Sequence, residues 1–165
     1  MILSDYGIRY AIKNGDLKIS PFCSKLVRPN SYDIRISDEV RDVDGELVEV
    51  KDDCVVIEPM QFLLAGSIES FELSDKLCGI YHTRSSIGRL GLFTHTGAGL
   101  IDAGFYGNLT YELFNCSNKP IKLKVGFPIG QITFHYLTSG CDKPYDGVYN
   151  GQRGATISKY IDMIR

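Results

Sequence analysis

The 165-residue chain contains no tryptophan, only three methionines and three histidines, and nowhere a run of roughly 18 uninterrupted apolar residues of the kind a membrane-crossing helix needs. Its first segment carries Asp5, Arg9 and Lys13 where a secretory leader would require an apolar stretch. A charge of one sign is also missing. Eighteen basic residues stand against twenty acidic ones for a net charge of −2, so no global field exists to hold nucleic acid or an anionic membrane surface. The five cysteines Cys23, Cys54, Cys78, Cys116 and Cys141 are odd in number and form no CxxC pair, which excludes a disulfide framework and suits thiols in a reducing compartment. His82, His95 and His135 are scattered, with no HxxxH or HxE spacing, so a protein-built zinc site is not expected. A soluble cytoplasmic protein follows as the expectation.

What the chain does have is glycine, aromatics and short β-branched runs: 17 glycines, 10 tyrosines and 8 phenylalanines. These punctuated runs predict one all-β domain over residues 1–165. One helix is expected at the start, where Ser4 can cap, Ile8, Ala11 and Ile12 share a face, and Gly15 terminates. Strands are expected at Tyr32–Ile36, Leu47–Val50, Cys54–Ile57, Phe62–Ala65, Leu77–His82, Leu109–Asn115, Ile121–Leu123 and Ile129–Tyr136, a barrel or jelly-roll rhythm. Asp44-Gly45 predicts a tight hairpin leading into Leu47, and Ser117 to Pro120 a second turn. From Ser139 to Arg165 glycines recur with little periodicity, as in a mobile tail or one that orders on binding.

Four segments carry candidate chemistry. In His82-Thr83-Arg84-Ser85-Ser86-Ile87-Gly88-Arg89, hydroxyls, guanidinium forks and a helix start converge as a phosphate chain would require; a capped turn with solvated arginines fits the same residues. The glycine-rich run from Thr96 through Ala98 and Asp102 to Gly107 allows close approach of a ligand to backbone, with Asp102 placed to orient a water or sugar hydroxyl, or else is a wide hairpin. On the alternating strand Leu109–Asn115, Glu112 shares a face with Thr110 and Phe114, as a general acid or base beside an apolar neighbour or as a solvated glutamate. Tyr145, Tyr149, Gln152 and Arg153 sit on a glycine scaffold able to fold over a base and its phosphates, or to stay disordered.

Taken in order, these segments resemble the dCTP deaminase and dUTPase superfamily, whose pattern runs RSSxxRxGL, a glycine-rich stretch ending in ID, a strand with E, then YxGQxG. The resemblance covers about Lys76 to Ile157, with a weaker match at Arg28-Pro29-Asn30-Ser31-Tyr32-Asp33-Ile34-Arg35. It implies a distorted β-barrel or jelly roll, a homotrimer with sites between subunits, and dCTP or dUTP as substrate. Arg84, Ser85 and Ser86 would hold a triphosphate carrying Mg²⁺, with no metal ligand from the protein itself, and Asp102 would lie near the deoxyribose and α-phosphate. The segment 139–165 would close over the active site, Tyr145, Tyr149, Gln152 and Arg153 covering the nucleotide from the same or another subunit.

The same resemblance separates two reactions. Deamination needs a group that takes a proton from water, protonates the ring and releases ammonia; Glu112 would do this without zinc, with Ser85 and the Ala98 carbonyl placing the water and Arg89 orienting Glu112. The zinc deaminase signature, HxE with PCxxC, is absent from the sequence. Hydrolysis of dUTP to dUMP would use a water oriented by Asp102, with Mg²⁺ neutralising the leaving diphosphate. Zinc-independent deamination of dCTP is the leading expectation, and with Asp102 and Glu112 both present, one site running both reactions is chemically open. Gly97-Ala98-Gly99 and Val148 depart from the deaminase pattern and keep a single-function dUTPase open, and fold alone admits a non-catalytic nucleotide-binding module.

Overall fold

A computed structural model describes residues 1–160 and Met163; the remainder of the predicted 139–165 tail lies outside the described residues. The elements are α1 (Asp5–Asn14), β1 (Leu17–Ser20), β2 (Val27–Arg28), β3 (Ser31–Arg41), β4 (Cys54–Ile57), β5 (Phe62–Leu73), β6 (Leu77–Thr83), α2 (Ser85–Gly88), β7 (Leu92–Phe93), β8 (Leu100–Ile101), β9 (Tyr106–Asn115), β10 (Ile121–Lys124) and β11 (Pro128–Tyr136). The N-terminal helix forms as its local signals require. Ser4 accepts a hydrogen bond from the Gly7 N–H, Gly15 takes the left-handed conformation at the end, and Ile8 and Ala11 are buried beneath.

Nine strands make one curled antiparallel sheet in the order β7-β9-β5-β3-β11-β6-β8, with β1 added along β5 and β2 along β3; β4 and β10 pair separately. The concave side holds the core, including Tyr32, Ile34, Leu63, Phe71, Tyr111, Ile132 and Phe134. This all-β half-barrel agrees with the expected class. One strand differs. Leu47–Val50 makes only a single bridge, Leu47 to Arg41, while Val48 and Val50 pack on the core without a ladder. The Asp42–Gly45 turn does form, the Asp42 carboxylate accepting from the Asp44 and Glu46 N–H groups, and the Val48 N–H donates to the Val40 carbonyl, but the register of β3 shifts between Ile36 and Val40 and the pairing begun at Arg41 goes no further.

Two central strands are tied by a buried ion pair. Glu69, fully buried on β5, accepts the Arg35 backbone N–H at 2.8 Å and Arg35 Nε at 2.6 Å. Removing the carboxylate strands a mostly covered cation and an N–H group. Glu69→Ala is expected to lower stability by about 3 kcal/mol in urea unfolding, whereas Glu69→Gln, which keeps an acceptor, loses less.

The outermost strands of the sheet, β7 and β8, are neighbours in sequence. The segment between them, Thr94 to Gly99, therefore runs from one edge of the half-barrel to the other across its mouth. It is fastened on both sides, the Glu112 N–H donating to the Thr94 carbonyl and the Tyr81 N–H to the Gly99 carbonyl. The candidate site is built around this strap.

Candidate functional site

Alternation along β9 sends Tyr111 and Leu113 into the core and leaves Thr110, Glu112 and Phe114 half-buried on the opposite face. Glu112 lies under the strap. Its Oε2 accepts the Thr96 N–H at 2.7 Å and the Thr96 hydroxyl, while Oε1 takes no hydrogen bond from the described residues. One carboxylate oxygen is thus anchored and the other is free for a ligand.

Glu112, Ala98 and Asp102 line one cavity of about 570 Å³, together with Tyr145, Tyr149 and Gln152 from the tail. That volume falls within the roughly 300–1,000 Å³ typical of small-molecule sites. Its inner wall adds Tyr81, Thr94, His95 and Tyr111, none of which stands out in the sequence as a site residue. The Tyr81 hydroxyl meets Thr94 Oγ1 at 2.6 Å, and Thr94 Oγ1 in turn meets Thr83 Oγ1 at 2.7 Å. Burial pushes the Tyr81 phenol well above its ordinary pKa, its Thr94 hydrogen bond pulling the other way, so the ring presents a neutral hydroxyl. His95 packs edge-on against Tyr81, and its Nδ1 is buried without a hydrogen-bond partner among the described residues. The only local hint of His95 is its place just before the glycine-rich run.

The tail lies along its own chain. Tyr145 donates its N–H to the Ala103 carbonyl, and Gln152 Nε2 donates to the Asn108 carbonyl at 2.7 Å. Gly107, at φ +136°, permits this approach, since a Cβ there would stand 2.6 Å from the Gln152 carbonyl oxygen. Gly154 backs against Gly66 in the same way, a Cβ at Gly66 meeting Gly154 backbone at 2.8 Å. Arg153 is exposed and does not line the cavity.

Arg84, Ser85, Ser86 and Arg89 are placed elsewhere. Arg84 precedes the single turn α2, its guanidinium near the buried Asp33 and donating to the Pro128 carbonyl. Ser85, Ser86 and Arg89 are exposed, and none of these four residues lines the Glu112 cavity. Within one chain Arg89 makes no hydrogen bond or ion pair with Glu112. A second cavity of about 710 Å³ reaches from Thr83 and Gly88, at the two ends of α2, to His95, Thr96 and Gly97 at the strap.

Among the described residues, no group of three or more His, Cys, Asp or Glu side chains is arranged to hold a metal, and no helix is long and apolar enough to cross a membrane. Asp33 is committed to its arginines, whereas the exposed Asp102 offers the hard oxygen that hydrogen-bonds a hydrated Mg²⁺. That donor set fits Mg²⁺ held by substrate phosphates and water.

The dCTP deaminase of the dUMP-forming type from Corynebacterium kroppenstedtii is 40% identical over 181 residues, covering 96% of this chain and 97% of that protein. The crystal structure of 2′-deoxycytidine 5′-triphosphate deaminase from Agrobacterium tumefaciens superposes with a TM-score of 0.67 at 24% identity, covering 81% of this chain and 48% of that one. A mutant dUTPase from phage phi11 of S. aureus, described with a structural Mg(II) ion, shares the fold at TM-score 0.53 and 17% identity over 79% of this chain and 97% of its own. The family model described as dCTP deaminase-like matches residues 2–137, which take in the strap, Glu112 and Asp102. A half-barrel whose mouth is crossed by a glycine-rich strap over one anchored glutamate, with relatives of this identity along its whole length, belongs to the dCTP deaminase-like family.

Proposed function

We propose that the protein converts dCTP to dUMP in two hydrolytic steps at one site, releasing ammonia and then diphosphate. The observation that carries this reading is the shared cavity, in which Glu112 keeps one free carboxylate oxygen and Asp102 opens onto the same space. The relatives named for dUMP-forming deamination support it.

In the first step a water oxygen bonds to C4 of the cytosine while Glu112 takes its proton and delivers it to N3. Glu112 then moves the remaining hydroxyl proton to the 4-amino nitrogen. The C4–N bond breaks, ammonia leaves and the uracil carbonyl forms, so that dCTP and water become dUTP and ammonia. The Ala98 carbonyl and the Ser85 hydroxyl hold the water, and Arg89 orients Glu112. In the second step Asp102 directs a water at the α-phosphorus and accepts its proton as the bond to the diphosphate breaks. Mg²⁺ carried by the substrate phosphates, its waters hydrogen-bonded by Asp102, would supply neutralisation of the departing charge. Tyr145, Tyr149, Gln152 and Arg153, within the segment 139–165, cover the nucleotide and exclude water.

Arg84, Ser85, Ser86 and Arg89 come to this cavity from a neighbouring copy in a homotrimer. Their absence from the cavity wall of their own chain supports that arrangement, as do the exposed apolar side chains Phe93 and Leu100, which flank the strap, and Leu90 just after α2. The five free thiols suit the cytoplasm.

The test is a chromatographic time course with dCTP and dUTP as separate substrates in Mg²⁺. Ammonia and dUMP from dCTP are expected. Turnover of dUTP with dCTP untouched would reduce the protein to a dUTPase, and binding without turnover of either would make it a nucleotide-binding module.

A further inference from the structure

Asp33, on β3, is 1% exposed and has two cationic partners. Arg28 Nε donates to its Oδ2 at 2.6 Å, and Arg84 Nε stands 3.6 Å from its Oδ1. A single guanidinium is enough to neutralise a buried carboxylate, so the second leaves an excess of one positive charge at this point. Both arginines are held from their backbones. Arg28 sits on β2 in register with Ser31. Arg84 donates its N–H to the Ile129 carbonyl at 3.1 Å and Nη1 to the Pro128 carbonyl at 3.2 Å.

Each guanidinium carries five N–H donors in a rigid fork. Arg28 directs only Nε inward, so both of its terminal nitrogens are unspent; Arg84 keeps Nη2 and half of Nη1. The two side chains are 43% and 27% exposed, which leaves these donors open to solvent beside the exposed Ser85 and Ser86. Paired forks with net positive charge are the chemistry that recognises clustered phosphate oxygens.

We infer that Arg28 is a second phosphate-binding side chain, forming with Arg84 a two-guanidinium clamp, oriented through one shared buried carboxylate, for the polyphosphate end of the nucleotide. Asp33 is its positioning residue. The inference rests on the nucleotide reading above and gives a role to a residue of the weaker early match, to which the resemblance itself assigns none.

The experiment compares the full-length wild-type protein with Arg28→Gln in Mg²⁺, reading dCTP kinetics, calorimetric affinity for inorganic tripolyphosphate and for deoxycytidine, and melting temperature. Arg28→Gln is expected to raise KM for dCTP about tenfold and weaken tripolyphosphate by a similar factor, with kcat and deoxycytidine affinity within about twofold, and Arg28→Lys is expected to recover part of the loss. Unchanged KM and tripolyphosphate affinity overturn the inference, as does an equal loss for deoxycytidine and tripolyphosphate, the mark of a purely structural role. If wild type turns over no nucleotide, the functional reading has failed, and tripolyphosphate binding alone still decides the clamp. Should Arg28→Gln not fold, Arg28→Lys decides. Its ammonium cannot form a fork, so tripolyphosphate should weaken about threefold at an unchanged melting temperature, and undiminished affinity overturns the inference.

Discussion

Replacing Glu112 by glutamine is expected to slow ammonia release from dCTP by about 10²-fold or more while leaving nucleotide affinity within a few-fold. The substitution is informative because of how the carboxylate is held. Thr96 supplies two donors to Oε2, and the glutamine carbonyl oxygen can accept both, so the strap keeps its anchor. What disappears is the capacity to take up and return a proton at the free oxygen. Single-turnover assays with dCTP, beside calorimetry with the same variant, separate the two. A variant that deaminates at the wild-type rate would remove Glu112 from the chemistry. Hydrolysis of supplied dUTP should survive the change, because that reaction breaks a bond to phosphorus and asks nothing of the ring.

Asp102→Asn should have the complementary effect. Asp102 follows β8, and its side chain is exposed at the cavity wall, with no hydrogen-bond partner among the described residues to lose, so stability should hold. Its backbone carbonyl, which accepts from the Phe105 N–H, is untouched. The amide orients water poorly and cannot accept its proton, so dUMP formation is expected to fall about 10²-fold. Deamination continues, and dUTP accumulates in place of dUMP. Following both products from dCTP in one chromatogram checks this, and undiminished dUMP would exclude Asp102 from the hydrolytic step.

The parts of the fold legible in the sequence are those specified by neighbours in sequence. Ser4 and Gly15 bracket α1 because capping acts within a turn, and the two faces of β9 follow from simple alternation. Legibility ends where the partner decides. Leu47–Val50 alternates as a strand should, yet β3 is irregular between Ile36 and Val40, and the pairing begun at Arg41 and Val40 goes no further. Conversely, β5 runs on past Ala65 to Leu73 through Ser67 and Glu69, whose burial is made tolerable by a hydrogen bond from Ser67 Oγ to the Glu69 carbonyl and by the distant Arg35. Within the site, Glu112, Ala98 and Asp102 are visible as chemistry-bearing types in a familiar order. Tyr81, Thr94, His95 and Thr96 are not, because they matter only once the strap crosses the mouth of the half-barrel, a contact between segments that local composition does not encode.

The end strands of the nine-stranded sheet are each two residues long. Stubs of that length expose few unpaired amides to template another chain, so these two ends offer a poor start for edge addition or fibrillar stacking. A contact between copies at either of these ends would therefore rest on side chains and not on a shared ladder.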